Sequence, residues 1–128
     1  MLLVFCVRRR PDVAADEFHR YWRDEHGPLV RSLQPAMGIV RYVQAHRLET
    51  PINDLLRASR SADAAYDGVA QLWWRSQEHF VECLATPESQ AASLLLLEDE
   101  TRFIDLTTSS LFVTEEVIVV DGSSDRSG

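Results

Sequence analysis

Three strand-length segments that are apolar on both faces constrain this chain more than any other feature. In the opening run Leu2-Leu3-Val4-Phe5-Cys6-Val7, Val4 and Cys6 alternate with Leu3, Phe5 and Val7, so either face of an extended segment is apolar. Ala70, Leu72 and Trp74 alternate with Val69 and Trp73 in the same way. Leu111, Val113, Val117 and Val119 alternate with Phe112, Ile118 and Val120. An antiparallel sheet with one wet face would instead alternate apolar with polar residues. A sheet apolar on both sides buries its second face, and the simplest cover is a second copy of itself, giving a dimer with a barrel-like interior.

At 128 residues and 45% apolar, the chain is long enough to bury a core without a disulfide or metal staple. It reads as one domain over residues 1–120 followed by a polar tail, 121–128. The net charge is −7, and the 13 basic residues, all Arg, are scattered, which argues against nucleic acid as a partner. The one basic run, Arg8-Arg9-Arg10, reads as the solvated end of the first strand. The apolar run before it is too short for a signal-peptide core or a membrane span, so a cytoplasmic protein with no membrane partner is expected. Cys6 and Cys83 have no CxxC spacing and read as buried free thiols; no motif binds a metal.

The coarse order is strand, helix, strand, strand, helix, strand. After the first strand, Pro11 and Asp12 break the run and Asp12 is placed to cap a helix. Phe18, Tyr21, Trp22 and Glu25 then recur at i, i+3, i+4 and i+7, with His19, Arg23 and His26 on the neighbouring stripe. Gly27-Pro28 predicts the end of that helix, Gly27 as the left-handed cap and Pro28 opening a short turn. Residues 37–45 read as the second strand, and 47–65 as a long loop with at most one helical turn, a length often used for lids. Residues 68–74 read as the third strand. Ser76 caps a helix through Leu84, and Thr86 with Pro87 opens another whose residues 94–97 and Phe103 supply core. Residues 111–120 complete the set. This is an α+β, ferredoxin-like βαββαβ arrangement with a four-stranded antiparallel sheet.

His26 is the strongest single candidate for chemistry. On a last helical turn it feels the negative end of the helix dipole, and Asp24 and Glu25 lie close in sequence; both favour a charged ring titrating near neutrality. The same position also suits a ring that only satisfies terminal carbonyls. His19 is seven residues away, roughly 10 Å along a helix, too far for the two to share a metal. His46 and His79 read as surface or hydrogen-bonded residues. Tyr42 is assigned with Val40, Gln44 and His46 to the partner-facing side of its strand, where its hydroxyl needs either a ligand or a structural partner. Parity with Leu72 and Ala70 puts Trp74 on that same side, as pocket wall or as filling. Glu115 and Glu116 point to opposite faces, so one of them is a candidate inward acid or a partner for Arg41. No GxSxG, GxGxxG or P-loop is present, which argues against a nucleotide-dependent enzyme.

Four blocks of the chain resemble the EthD-domain family: Phe18-His19-Arg20-Tyr21-Trp22-Arg23-Asp24-Glu25-His26-Gly27-Pro28-Leu29; Arg41-Tyr42-Val43-Gln44; Tyr66-Asp67-Gly68-Val69-Ala70-Gln71-Leu72-Trp73; and Glu98-Asp99-Glu100 with Phe103-Ile104-Asp105. The resemblance implies a dimeric α+β barrel. It implies roles in ether degradation or beside polyketide and aromatic pathways, and kinship with a branch that isomerises methyl-substituted muconolactones without a cofactor. By resemblance to that branch, His26 and Tyr42 correspond to cavity-facing active-site residues. Its further loop histidine has no counterpart in 47–65, which offers Asn53, Asp54, Arg57 and Arg60 instead.

The expectation is a homodimeric enzyme, needing no cofactor, that performs acid/base chemistry on a small apolar lactone, phenol or polyketide-like substrate in a barrel cavity, of isomerase, cyclase or lyase type. His26 and Tyr42 are the expected catalytic residues; Trp74, Leu72, Val40, Gln44 and His46 are the expected substrate contacts. A cofactor-free monooxygenase, or a non-catalytic accessory or binding protein of an ether or aromatic degradation pathway, stands as the alternative.

Overall fold

The computed structural model describes residues 1–122. Its four strands are β1 (Leu2–Val7), β2 (Arg41–His46), β3 (Gly68–Trp73) and β4 (Ser110–Thr114), joined in the order β2-β3-β1-β4 with every pairing antiparallel. The helices are α1 (Ala15–Tyr21), α2 (Gly27–Met37), α3 (Ile52–Arg60), α4 (Gln77–Leu84) and α5 (Pro87–Glu100). The α+β, ferredoxin-like architecture expected from the element order is the observed one. From Ser123 on, the tail expected over 121–128 lies outside the described residues.

The first helix does not stop at Gly27-Pro28. A π-helical turn, Trp22–His26, joins α1 directly to α2, and Gly27 has helical angles (φ −54°) rather than the left-handed ones expected of it. Proline lacks an N–H and crowds the carbonyl four residues back. The wider π-turn absorbs this: the N–H of Gly27 reaches the carbonyl of Trp22, five residues back. The left-handed cap comes at Gly38 (φ 75°), where a Cβ would also lie 2.4 Å from Cys83 Sγ. Asp12 does not cap α1 either; Ala14 holds that position, and Asp12 pairs with Arg10 at 2.9 Å.

Other departures have equally local causes. Residues 52–60, expected as loop, form α3, none of whose residues is buried. The last strand ends at Thr114 because its partner β1 ends there, Thr114 lying opposite Leu2; residues 115–120 leave the sheet, and Val117 to Val120 are exposed. Of the four leucines 94–97 only Leu96 is buried, since consecutive helical residues step 100° apart and cannot share a face. Ser76 and Thr86 are the expected caps, accepting from the N–H groups of His79 and Ser89. The arginine run is engaged rather than merely solvated: Arg9 and Arg47 flank the buried carboxylate of Asp67, and Arg8 lies 4.1 Å over the Tyr66 ring.

Two core clusters lie between the sheet and the helices. One gathers Val7, Phe18, Trp22, Ala70, Phe103 and Ile104; the other gathers Val30, Met37, Ile39, Trp74, Ala92 and Leu96. Full burial of an aromatic such as Phe18 or Trp22 stabilises the fold by about 1.5–3 kcal/mol. Tyr42 and Leu72 pack against both clusters. The register explains this: Tyr42 lies opposite Leu72 and Leu72 opposite Leu3, while Gln44 lies opposite Ala70 and Ala70 opposite Phe5. This side of the sheet faces the helices. The expected assignment of Tyr42, Gln44, His46, Leu72 and Trp74 to the partner side is therefore inverted, because parity groups residues onto a face without saying which face the helices cover. The opposite face carries Val4, Val43, Val69, Trp73 and Phe112, none of which joins either cluster.

Candidate functional site

Between the helices and the sheet of a single chain lies a cavity of about 360 Å³, within the range of small-molecule sites. Its walls are apolar, with Leu3, Phe5, Leu72, Trp74 and Leu96 among them; His26, Tyr42 and Glu100 supply its titratable oxygen and nitrogen groups. The site thus lies under the helices, not on the partner-facing side of the sheet where it was expected.

His26 reaches this cavity because the π-turn carries it inward; it is 5% exposed. Its Nδ1 lies 2.7 Å from Oδ2 of Asp99 on α5. A carboxylate only accepts, so Nδ1 carries the proton and Nε2 is left as the basic nitrogen of a cavity-lining ring. Tyr21 donates its hydroxyl to the other oxygen of Asp99 at 2.5 Å, and Arg102 stands 3.8 Å from that same oxygen. Asp24 and Glu25, expected to influence His26, instead meet Arg23 and Arg20 at the surface. Burial pushes the His26 pKa below its ordinary value, and the hydrogen bond and charge of Asp99 recover only part of that. This reverses the sequence expectation, which rested on a helix terminus that the π-turn removes.

Tyr42 projects from β2 into the same space. Burial pushes its pKa up to about 12, so the phenol is neutral. Gln44 donates to the Tyr42 oxygen at 3.0 Å and to the carbonyl of Trp22 at 2.8 Å, leaving the Tyr42 proton free to donate. Trp74 is buried, gives its indole N–H to the carbonyl of Met37 at 2.8 Å and packs on Phe80. Leu72 lines the cavity beside it.

The remaining expected contacts lie elsewhere. Val40 is exposed and, with Gln44, borders an adjacent open groove lined by Arg23, Arg31 and Arg41 that shares Val30 and Tyr42 with the cavity. His46 gives its Nε2 proton to Gln44 Oε1 at 2.8 Å, so its Nδ1 accepts from His19 Nδ1, also at 2.8 Å. That fixes the neutral tautomer of both rings and leaves His19 Nε2 buried without a partner. Glu115 and Glu116 are both exposed, and Glu116 accepts from the Trp73 indole while Arg41 lies 4.9 Å over the Trp73 ring. Among the described residues no group of three or more His, Cys, Asp or Glu is placed to hold a metal, and no helix is long and apolar enough to cross a membrane.

Asp99 and Glu100 were missed as site residues. The signal was present: Ser89, Ala92, Leu96 and Asp99 fall on one buried helical stripe, and an acid on such a stripe needs a buried partner. Cys83 also lines the cavity, 3.4 Å from His79 Nε2, an i, i+4 contact on α4.

The chain is 25% identical over 108 residues to the dehydratase ustZ of Ustilaginoidea virens, covering 82% of this chain and 75% of that protein. An EthD-like protein from Ralstonia eutropha JMP134 superposes with a TM-score of 0.60 at 19% identity, over 98% of this chain and 96% of that one. An EthD family protein from Bacillus halodurans C-125 gives a TM-score of 0.59 at 15% identity, over 91% and 99%. The EthD domain model itself matches residues 10–107, the stretch that holds His26, Tyr42, Trp74, Asp99 and Glu100, and the chain therefore belongs to the EthD domain family.

Proposed function

We propose that this protein is an enzyme of small-molecule biosynthesis or degradation that moves a proton next to a carbonyl group and needs no cofactor to do so. The observation that carries the reading is the His26–Asp99 pair: a ring held by Nδ1 on a carboxylate presents Nε2 as a base in an apolar cavity. His26 takes the proton, and the neutral Tyr42 hydroxyl donates to the oxyanion or enolate that develops. Trp74 and Leu72 hold the apolar body of a lactone, phenol or polyketide-like substrate. Enolate formation of this kind serves isomerisation, cyclisation and loss of water alike, and similarity to a protein named as a dehydratase supports the last. Val40, Gln44 and His46 do not touch substrate in this scheme; Gln44 aims the Tyr42 hydroxyl and His46 fixes Gln44.

The active form is a homodimer. The sheet face with Val4, Val43, Val69 and Phe112 joins neither core cluster, and a second copy would cover it. Sedimentation is expected to give twice the 14.6 kDa chain mass.

The test of the reading is a thermal-shift screen of wild type and His26→Ala against lactones, hydroxylated aromatics and polyketide mimics, with mass spectrometry of each mixture. Conversion by wild type and not by the variant is expected. Ligands that stabilise both proteins and are converted by neither would instead make this a binding or accessory protein.

A further inference from the structure

The cavity holds one acid that proton abstraction by His26 leaves idle. Glu100 ends α5 and lines the cavity on the same helical face as Ser89, Ser93 and Leu96. Its neighbour Asp99 is fully engaged, by His26 on one oxygen and Tyr21 on the other. The Glu100 carboxyl has neither a hydrogen-bond nor an ion-pair partner among the described residues. It faces apolar side chains at the carboxyl end of a 14-residue helix, where the helix dipole disfavours a negative charge. A carboxyl so placed is suited to hold a proton and to give it to a bound substrate.

We propose, building on the acid/base reading of His26, that Glu100 is a catalytic proton donor and that the substrate class is a β-hydroxy carbonyl compound losing water. His26 Nε2 takes the proton on the carbon next to the carbonyl, and the C–H electron pair becomes the new C=C bond. The C–O bond to the hydroxyl breaks as Glu100 protonates the departing oxygen, so water leaves and no redox partner is needed. The site ends with His26 protonated and Glu100 ionised, and one proton returned through solvent restores both. The titratable groups facing Glu100 are Asp99 beside it on α5, whose charge acts on it, and Tyr42 on β2 and His26 in the π-turn, which line the same cavity. Burial and the Asp99 charge raise the Glu100 pKa to about 7, whereas Tyr42, at about 12, stays neutral throughout.

Two probes separate the roles. 3-Hydroxy-1-tetralone loses water to give 1-naphthol, and 3-acetoxy-1-tetralone gives the same product by losing acetate, which leaves without being protonated. Glu100→Gln is expected to cut kcat/KM for the hydroxy probe by roughly 10²-fold while leaving the acetoxy probe within about threefold. His26→Ala is expected to abolish both. In the wild type, the hydroxy-to-acetoxy ratio of kcat/KM should fall about tenfold per pH unit above the Glu100 midpoint, a readout that needs no variant to fold. Equal loss of both probes in a folded Glu100→Gln, or a ratio flat from about pH 6 to 9, overturns the assignment of Glu100 and leaves the acid/base reading standing. Wild type that turns over neither probe overturns the β-hydroxy carbonyl class and the role of Glu100, and the acid/base reading then falls only if the wider screen shows no conversion either.

Discussion

Two histidine sites on one helical run show how the partner decides what an imidazole can do. His26 lies against Asp99, while His19, seven residues earlier, lies against His46. Burial lowers the pKa of all three rings. At His26 the carboxylate recovers part of that loss and pins the proton to Nδ1, so a basic nitrogen is left in the cavity. In the other pair, His19 donates to His46 and His46 donates to Gln44, and the nitrogen left over, His19 Nε2, is buried without a partner. A buried ring on a carboxylate thus keeps an unpaired basic nitrogen in the cavity, whereas two half-buried rings on each other form a structural ladder.

The sharpest way to break this comparison is to remove the carboxylate. Asp99→Asn is expected to lower the His26 pKa further, because the raising hydrogen bond and charge are gone, and to cut kcat/KM on the tetralone probes by roughly 10²-fold. An imidazole titration followed by NMR checks the first part; an unchanged His26 midpoint would show that Asp99 does not tune the ring. Next in size is Gly68→Ala, which strikes the other pair. Its Cβ would fall 2.4 Å from Trp22 Cζ3 and 2.7 Å from the Ala45 carbonyl, so Trp22, whose ring meets that of His46 at 4.4 Å, must shift. A loss of about 2–3 kcal/mol in urea unfolding is expected.

Glu100→Gln sharpens the cavity side. The folded pKa of about 7 lies above the ordinary glutamate value of 4.5, so the native state holds the proton over that window and the wild type loses stability as pH rises through it. The glutamine variant lacks this slope. It should match wild type near pH 4 and exceed it by on the order of 3 kcal/mol at pH 8, since each tenfold difference in proton affinity between the folded and unfolded chain is worth about 1.4 kcal/mol. A gap that is the same at both pH values would place its cause outside this ionisation. The smallest effect belongs to the histidine ladder. His19 and His46 have lowered folded pKa values, so their contribution is complete above the ordinary histidine value of 6.5 and is lost as pH falls below it. His46→Asn is expected to cost about 1 kcal/mol at pH 7.5 and to lose less stability than wild type between about pH 6.5 and 5.

Much of the scaffold was legible because its signals are local. Ser76 and Thr86 cap helices through hydrogen bonds spanning three residues, and the element order follows from short-range periodicity. His26 and Tyr42 could be singled out as candidates by residue type and position. Asp99 could not be joined to His26 in advance, since the two lie 73 residues apart and meet only when α5 packs on the π-turn. The length of the last strand was hidden for a similar reason: residues 115–120 are as β-prone as those before them, and the strand stops because β1 offers no further partner.

Alternation and helical period in the sequence settled that the sheet has two apolar faces and which residues share each, and they marked His26, Tyr42, Leu72 and Trp74 as candidates for chemistry or its walls. Long-range packing chose which face the helices cover, carried the helix through Gly27-Pro28, and brought Glu100 and the Asp99-held His26 into one cavity with Tyr42. The reason is physical: side-chain parity and helical period are properties of the local backbone, whereas apolar burial is non-directional and satisfied by either face, so the choice falls to the packing of distant elements.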